Sequence, residues 1–156
     1  MTETARADYP KTVVLKDGAH VVLRPMAAGD RDAVAALAAG AGARAVFDAE
    51  DTVVVACADD VLAGATLLRL TAPDAATVAV VLAPAFAARR LGTWMLLDAV
   101  HLAAALGLGR LEAVARAGDA AHLAALRRLD FVEARPQASA ADVVLVKTLH
   151  AAWTDF

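Results

Sequence analysis

The chain has 156 residues, and its 15 lysines and arginines and 18 aspartates and glutamates give a formal net charge of -3 at pH 7. This length predicts one domain, residues 1–156, with a sizeable core, and the acidic balance argues against a nucleic-acid-binding module. Hydrophobic residues make up 60% of the chain, yet Asp98 and His101 interrupt the longest apolar run, so no membrane-spanning helix is predicted. We therefore expect neither nucleic acid nor a membrane as a partner.

The N-terminal segment and the cysteine content indicate the cellular compartment. Residues 1–10 contain no apolar stretch of the kind that directs secretion, and we interpret them as a flexible arm. Cys57 is the single cysteine, which excludes an internal disulfide and fits a reducing compartment. A cytoplasmic location is therefore expected.

Turn signals divide the first half of the chain into two hairpins and one helix. Gly18 and its polar neighbours favour a tight turn between the first two strands, and Asp30 is placed to cap a helix that extends to residue 39. The four predicted strands are residues 11–15, 20–23, 52–58 and 62–71.

A strand, a loop and a long helix are predicted in the middle of the chain. The strand at residues 77–83 contains a continuous apolar run at residues 78–83, and Pro84 ends it because proline has no N–H for a sheet ladder. The helix spans residues 93–106, and Gly107 is placed to end it. The N–H groups at the start of such a helix can hold an anion. By itself, the pattern also fits an ordinary strand–loop–helix crossover.

The last third of the chain contains three short strands and one amphipathic helix. Asp119 is placed to cap the helix at residues 120–129, and Leu123, Leu126 and Leu129 fall on one inward face. The predicted strands are residues 110–116, 131–132 and 142–149.

The loop after the central strand carries a family resemblance. Residues 82–86 read LAPAF, and Arg89, Leu91 and Gly92 then lead into the apolar helix. This arrangement resembles the acyl-CoA pyrophosphate loop of the GNAT acyltransferase superfamily, in which x-Pro-x-aromatic is followed by Gln/Arg-x-x-Gly-x-Gly/Ala. In that family the backbone amides of the turn bind the CoA pyrophosphate, and the splayed edge of the strand binds the pantetheine arm. The resemblance implies acetyl-CoA as co-substrate, bound by Leu82, Ala83, Arg89, Arg90, Leu91, Gly92, Thr93 and Asp119.

Two positions of this loop depart from the family pattern. Ala87 lies where Gln or Arg is usual, and Arg90 lies at the first glycine. If that position needs a positive φ, a side chain there costs about 1–2 kcal/mol, and it also occupies space meant for phosphate. Conversely, Arg89 and Arg90 bring positive charge to a helix N-terminus, which suits an anion. The two effects oppose each other.

The segment from Asp119 to Phe131, DAAHLAALRRLDF, resembles the fourth-helix motif of the same superfamily, Asn-x-x-x-apolar-x-x-Tyr-x-x-x-Gly-Phe. The resemblance implies a tyrosine that protonates the departing CoA thiolate, but Leu126 lies at that position. We interpret Leu126 as a core residue. The usual general acid is therefore absent.

No other residue is assigned a catalytic role from the sequence. The central strand contains no carboxylate, Glu112 reads as a surface residue paired with an arginine, and His101 and His122 read as residues on helix faces. The four histidines lack partners at metal-ligand spacing, so no metal site is predicted.

The resemblance implies an α/β (α+β) fold: a mixed, mostly antiparallel twisted sheet with helices on both faces, and one parallel strand pair that splays into a cleft. It implies an N-acetyltransferase that acts on an unidentified amine, either a small molecule or a protein. The lost motif residues favour an alternative, a non-catalytic GNAT-fold module for ligand sensing, partner binding or dimerisation. Because Arg90 and Trp94 break a G-x-G-x-x-G pattern, a dinucleotide-binding βαβ unit is a distant third interpretation. A homodimer is one expectation, since residues 143–146 and 153–156 are apolar enough to cover either a partner or their own chain.

Overall fold

The computed structural model describes residues 1–40, 50–87, 89–134 and 140–149. Eight strands are described: β1 (Lys11–Val14), β2 (His20–Pro25), β3 (Thr52–Ala58), β4 (Val61–Ala72), β5 (Ala75–Leu82), β6 (Arg110–Arg116), β7 (Val132–Glu133) and β8 (Asp142–Thr148). The α-helices in these residues are α1 (Glu3–Arg6), α2 (Arg31–Gly40), α3 (Leu91–Ala105) and α4 (Ala120–Arg128). Short 3₁₀ turns at Ala28–Asp30 and Pro84–Phe86 precede α2 and α3.

The described strands form one eight-stranded sheet in the order β1-β2-β3-β4-β5-β6-β8-β7. Its neighbours are antiparallel except β5 and β6, which run parallel. A hairpin can join antiparallel neighbours, whereas a parallel pair needs a crossover, and α3 supplies it. The predicted mixed, mostly antiparallel sheet is confirmed.

Helices cover both faces of this sheet because its strands alternate apolar side chains between the faces. On one face, Val34 and Ala38 of α2 pack with alternate residues of β3, β4 and β5. On the other face, α3 and α4 contribute to a larger core that includes Met95, Leu102 and Leu126. Two helix faces buried against one sheet thus hold β5 in the middle of the molecule.

The N-terminal segment packs against α3 in the structure, although the sequence predicts a flexible arm there. Ala5 of α1 is buried in the main core. The Tyr9 hydroxyl donates to Asp98 Oδ2 at 2.7 Å, and Lys11 Nζ forms an ion pair with Asp98 Oδ1 at 2.6 Å. A buried carboxylate on an apolar helix needs such partners. Asp98 therefore interacts with the N-terminal residues and not with His101, which is exposed.

Most element boundaries agree with the sequence within two residues. The helix predicted from residue 93 begins earlier, at Leu91, and Gly107 follows it with a φ of 78°, as expected for a helix-ending glycine. Asp30, predicted to cap the first helix, lies directly before α2, and its carboxylate binds Arg24 and accepts from the N–H of Ala27 at the start of the preceding 3₁₀ turn. The connection between the first predicted helix and the strand at residues 52–58 falls largely in residues 41–49, outside the described residues.

The structure describes only part of the C-terminal segments that were predicted to form a partner surface. Strand β8 lies between β6 and β7, and Leu145 is fully buried. Val143, Val144 and Val146 are only half-buried, so a partner surface at this strand stays a prediction. Residues 153–156 lie outside the described residues.

Candidate functional site

A cleft opens where the parallel strands β5 and β6 stop pairing. Their register begins at Ala75 with Arg110 and ends at Val78 with Ala113. Strand β5 continues to Leu82, while β6 continues to Arg116 along β8. Alternate backbone groups of β5 after Val78 therefore face the gap without a strand partner, and they can hydrogen-bond a ligand.

Two adjoining cavities occupy this cleft. The loop-side cavity has a volume of about 550 Å³, and its lining includes Leu82, Arg90, Gly92, Thr93, Ala125 and Arg128. The sheet-side cavity has a volume of about 600 Å³, and its lining includes Asp51, Leu67, Arg69, Thr77, Val114 and Arg116. Both cavities are lined by Val80, Val81, Leu96, Asp119 and His122. These shared residues mark the middle of one continuous cleft.

Arg90 lines the loop-side cavity at the start of α3. It caps α3 in the left-handed conformation, with φ 63° and ψ 9°. This is the backbone that a glycine adopts without strain, so the loop keeps a glycine-like path although the residue carries a long side chain. The N–H groups of Leu91, Gly92 and Thr93 belong to the first turn of α3, where no intrahelical acceptor exists.

The adjacent arginines Arg89 and Arg90 have different surroundings. Arg89 Nε donates to Asp17 Oδ2 at 2.7 Å, and its guanidinium lies 4.7 Å from the centre of the Phe86 ring. The Arg89 side chain is thus held against the β1–β2 turn. Arg90 instead lines the loop-side cavity together with Arg128 of α4. Neither Arg90 nor Arg128 forms an ion pair with a described residue.

The structure brings together five of the eight residues expected to bind the cofactor. These five line the loop-side cavity: Leu82, Arg90, Gly92, Thr93 and Asp119. The other three have different surroundings. Leu91 is fully buried in the core, the Ala83 N–H donates to the Ala63 carbonyl at 2.8 Å, and the Arg89 side chain binds Asp17. Their role in binding stays a prediction.

His122 lies between the two cavities. Asp119 caps α4 by accepting a hydrogen bond from the backbone N–H of His122 at 3.1 Å, which fixes the first turn of the helix. Burial lowers the pKa of His122, and the neighbouring Asp119 carboxylate only partly opposes this shift. The imidazole is therefore mainly neutral at pH 7 and can accept a proton.

The sequence interpretation of His122 as an ordinary helix-face residue missed this position. The spacing of residues along α4 could have indicated that His122 lies on the same side of the helix as the core residue Leu126. His122 lies three residues after Asp119 and four before Leu126, so the three share one side of α4. Leu126 is fully buried, which confirms its interpretation as a core residue.

Charged groups also line the sheet-side cavity. Arg69 binds Asp51 through two hydrogen bonds, at 2.8 and 2.9 Å. Arg116, at the end of β6, is exposed.

In the described part of the chain no cluster of histidine, cysteine, aspartate and glutamate could hold a metal ion. Nor is any helix there long and apolar enough to span a bilayer.

Several solved structures share this architecture. The GNAT domain of PAT from S. lividans is 17% identical, covers 92% of this chain and 98% of its own, and superposes with a TM-score of 0.74. The ribosomal-protein-S18-alanine N-acetyltransferase from Escherichia coli is 16% identical over 87% of this chain and 98% of its own, with a TM-score of 0.70. A GNAT family acetyltransferase from Elizabethkingia anophelis with acetyl-CoA bound is 13% identical over 83% and 98%, with a TM-score of 0.68.

No protein-family model matches the sequence, and no curated protein sequence matches it. The structural similarity spans nearly the full length of these acetyltransferases at low sequence identity. The chain therefore has the fold of the GNAT acetyltransferases.

Proposed function

We propose that this protein is an N-acetyltransferase that moves an acetyl group from acetyl-CoA to the amine of a small molecule or a protein. One observation carries the proposal: β5 and β6 separate directly beside the N-terminus of α3, and two arginines without a described partner line the same cavity. A diphosphate linked to a long, uncharged arm fits this combination of an anion-binding end and an exposed strand edge.

The residues of the loop-side cavity would divide the binding of acetyl-CoA among themselves. Arg90 and Arg128 would contact the pyrophosphate together with the first N–H groups of α3, since arginine pairs well with phosphate oxygens. The strand edge at residues 79–82 would bind the amides of the pantetheine arm. When bound, acetyl-CoA supplies an activated thioester. The chain would hold this thioester in the middle of the cleft, where positioning favours reaction with an amine that enters through the sheet-side cavity.

A specific observation also favours the non-catalytic alternative. Leu126 lies where the family resemblance implies a tyrosine that acts as the general acid, and Leu126 is buried in the core. A protein that binds acetyl-CoA as a sensor would need no proton donor there. Turnover decides between the two functions. We place either function in the cytoplasm, because Cys57 is a free thiol, which fits a reducing compartment.

Calorimetric titration with acetyl-CoA tests the binding site. The Arg128→Ala variant should bind acetyl-CoA about 10–100-fold more weakly, since hydrogen bonds between charged groups contribute about 1.5–3 kcal/mol. Arg127→Ala is the matched control. Arg127 is the preceding residue of α4, but it binds Glu133 at 2.7 Å and does not line the cleft. Its removal should leave the affinity unchanged.

Release of the CoA thiol tests catalysis. Wild-type protein is incubated with acetyl-CoA and panels of amino acids, polyamines, aminoglycosides and peptides. Amine-dependent thiol release supports the enzyme. Tight binding without release under any of these conditions supports the sensor. Absence of acetyl-CoA binding, or equal losses in Arg127→Ala and Arg128→Ala, would contradict the proposed site.

A further inference from the structure

His122 differs chemically from the other polar side chains that line both cavities. The arginines of the cleft are permanently charged and cannot accept a proton. The Asp51 carboxylate binds Arg69, and Asp119 caps α4. Among the described lining residues, His122 is thus the group that can both accept and return a proton near neutral pH.

The position of His122 matches that chemistry. It lines the loop-side cavity, which we assign to acetyl-CoA, and also the sheet-side cavity, which remains for the acceptor. A group that serves both reactants has to lie at their boundary. Its first helical turn is fixed by the Asp119 cap, so the imidazole projects from a rigid element.

The charges around His122 come from every wall of the cleft. Asp119 and Arg128 belong to α4, Arg116 to β6, and Arg90 to the start of α3. The Arg69–Asp51 pair lies on the sheet side. Burial is the main cause of the lowered pKa of His122, and Asp119 opposes it. Both geometry and environment therefore present a neutral imidazole to the cleft.

We propose that His122 is the catalytic proton-transfer residue of this cleft, a role that rests on the proposed acetyltransferase function. The acceptor nitrogen forms a bond to the acetyl carbonyl carbon, and the carbon–sulfur bond of the thioester breaks. The proton lost by the nitrogen passes to the imidazole of His122. The imidazolium then returns this proton to the departing sulfur, so that CoA leaves as a thiol and His122 is regenerated.

Two other groups are excluded from this role by their surroundings. Tyr9, the single tyrosine of the chain, donates its hydroxyl proton to Asp98 and lines neither cavity. Leu126 carries no proton at all. His122 thus provides a proton route that differs from the one implied by the fourth-helix motif.

A first experiment tests contact without requiring turnover. Histidine is labelled in the whole protein, the His122 imidazole signals are assigned with His122→Gln, and acetyl-CoA is added to saturation. The His122 signals should shift, whereas those of His101, exposed on α3, should not. Unchanged His122 signals in a protein that calorimetry shows to be saturated would overturn the proposal and leave the proposed binding function intact.

A second experiment tests the proton transfer through thiol release with the amine found active above. General acid–base catalysis contributes about 10²–10⁴-fold, so His122→Gln should lower kcat at least about 100-fold while its Kd for acetyl-CoA changes less than about threefold. The wild-type kcat should rise with pH through an inflection below the ordinary histidine value, and His122→Gln should lack this inflection. His101→Gln is the matched control and should behave as wild type.

The outcomes separate the two proposals. If His122→Gln and a second variant, His122→Asn, both bind acetyl-CoA and keep the wild-type kcat and pH profile, His122 is not catalytic although the protein is an acetyltransferase. If wild-type protein binds no acetyl-CoA, or binds it and releases no thiol with any amine, the acetyltransferase function fails, and the role of His122 fails with it.

Discussion

Charged residues in two regions of α3 differ in whether the chain itself supplies their ionic partners. Asp98 is 6% exposed, and it is matched within the chain by the Tyr9 hydroxyl and the Lys11 ammonium. At the start of the same helix, Arg90 lines a cavity that it shares with Arg128, and neither has an ionic partner in the described chain.

The difference separates a structural role from a binding role. A buried charge that is paired with groups of its own chain holds two segments together, and it is not available to bind a ligand. Exposed cations that converge on a cavity without such partners add nothing to the fold, and they are available to an anion. Mutations in the two regions should therefore affect different measurements.

The largest effect on stability is expected from Asp98→Ala. This change leaves Lys11 and Tyr9 without their shared partner, and breaking an ion pair with one buried member should cost about 2–4 kcal/mol in the free energy of unfolding. Urea denaturation measures this loss, and calorimetry should find the acetyl-CoA affinity unchanged. Asp60→Ala, in the exposed β3–β4 turn, is the control and should stay within about 0.5 kcal/mol of wild type. A loss of affinity without a loss of stability would break the comparison.

A smaller effect, of the opposite kind, is expected from Arg90→Gly. Glycine adopts the positive φ of this position without strain, which offsets the larger backbone entropy that glycine loses on folding. The free energy of unfolding should therefore change by less than about 1 kcal/mol. The acetyl-CoA affinity should fall about tenfold or more because a phosphate-binding cation is lost. Tighter binding by Arg90→Gly would mean that the Arg90 side chain obstructs the site.

The smallest effect is the pH dependence that His122 adds to stability. The pKa of His122 is lowered in the folded protein, so the unfolded chain binds more protons as pH falls below about 6.5. The contribution of His122 to stability is therefore fully present above that pH, and it is lost as the solution becomes more acidic. Because the imidazole is partly exposed, its share should be below about 1 kcal/mol. Denaturation of wild type and His122→Gln from about pH 5 to 8 measures it, and a steeper acid loss in the variant would reverse the sign.

Local chemistry allowed much of the fold to be predicted. Apolar β-branched runs predicted the strands, and Gly18 and Gly107 both take the positive φ values expected from their turn and helix-end positions. Asp119 caps α4 as predicted. The order of these elements, together with two motif regions, was sufficient for the resemblance that implied a mixed sheet with a splayed parallel pair.

The site was predicted less completely, because its chemistry depends on neighbours that are remote in sequence. Arg89 and Arg90 are adjacent in the chain, yet Arg89 binds Asp17 across 72 positions and Arg90 lines the cleft. The sequence does not indicate which of the two arginines binds Asp17 and which lines the cleft. Arg90 also adopts a left-handed backbone conformation, and the folded loop fixes this conformation.

The amino-acid sequence by itself determined most strand and helix boundaries to within two residues, because caps, prolines, glycines and apolar periods act over a few residues. The tertiary structure alone decided that Asp98 meets Tyr9, 89 positions away, and that His122 lies between two cavities. Such contacts depend on the register of the sheet and on how each helix packs across it. The whole core sets both, so no local pattern can encode them.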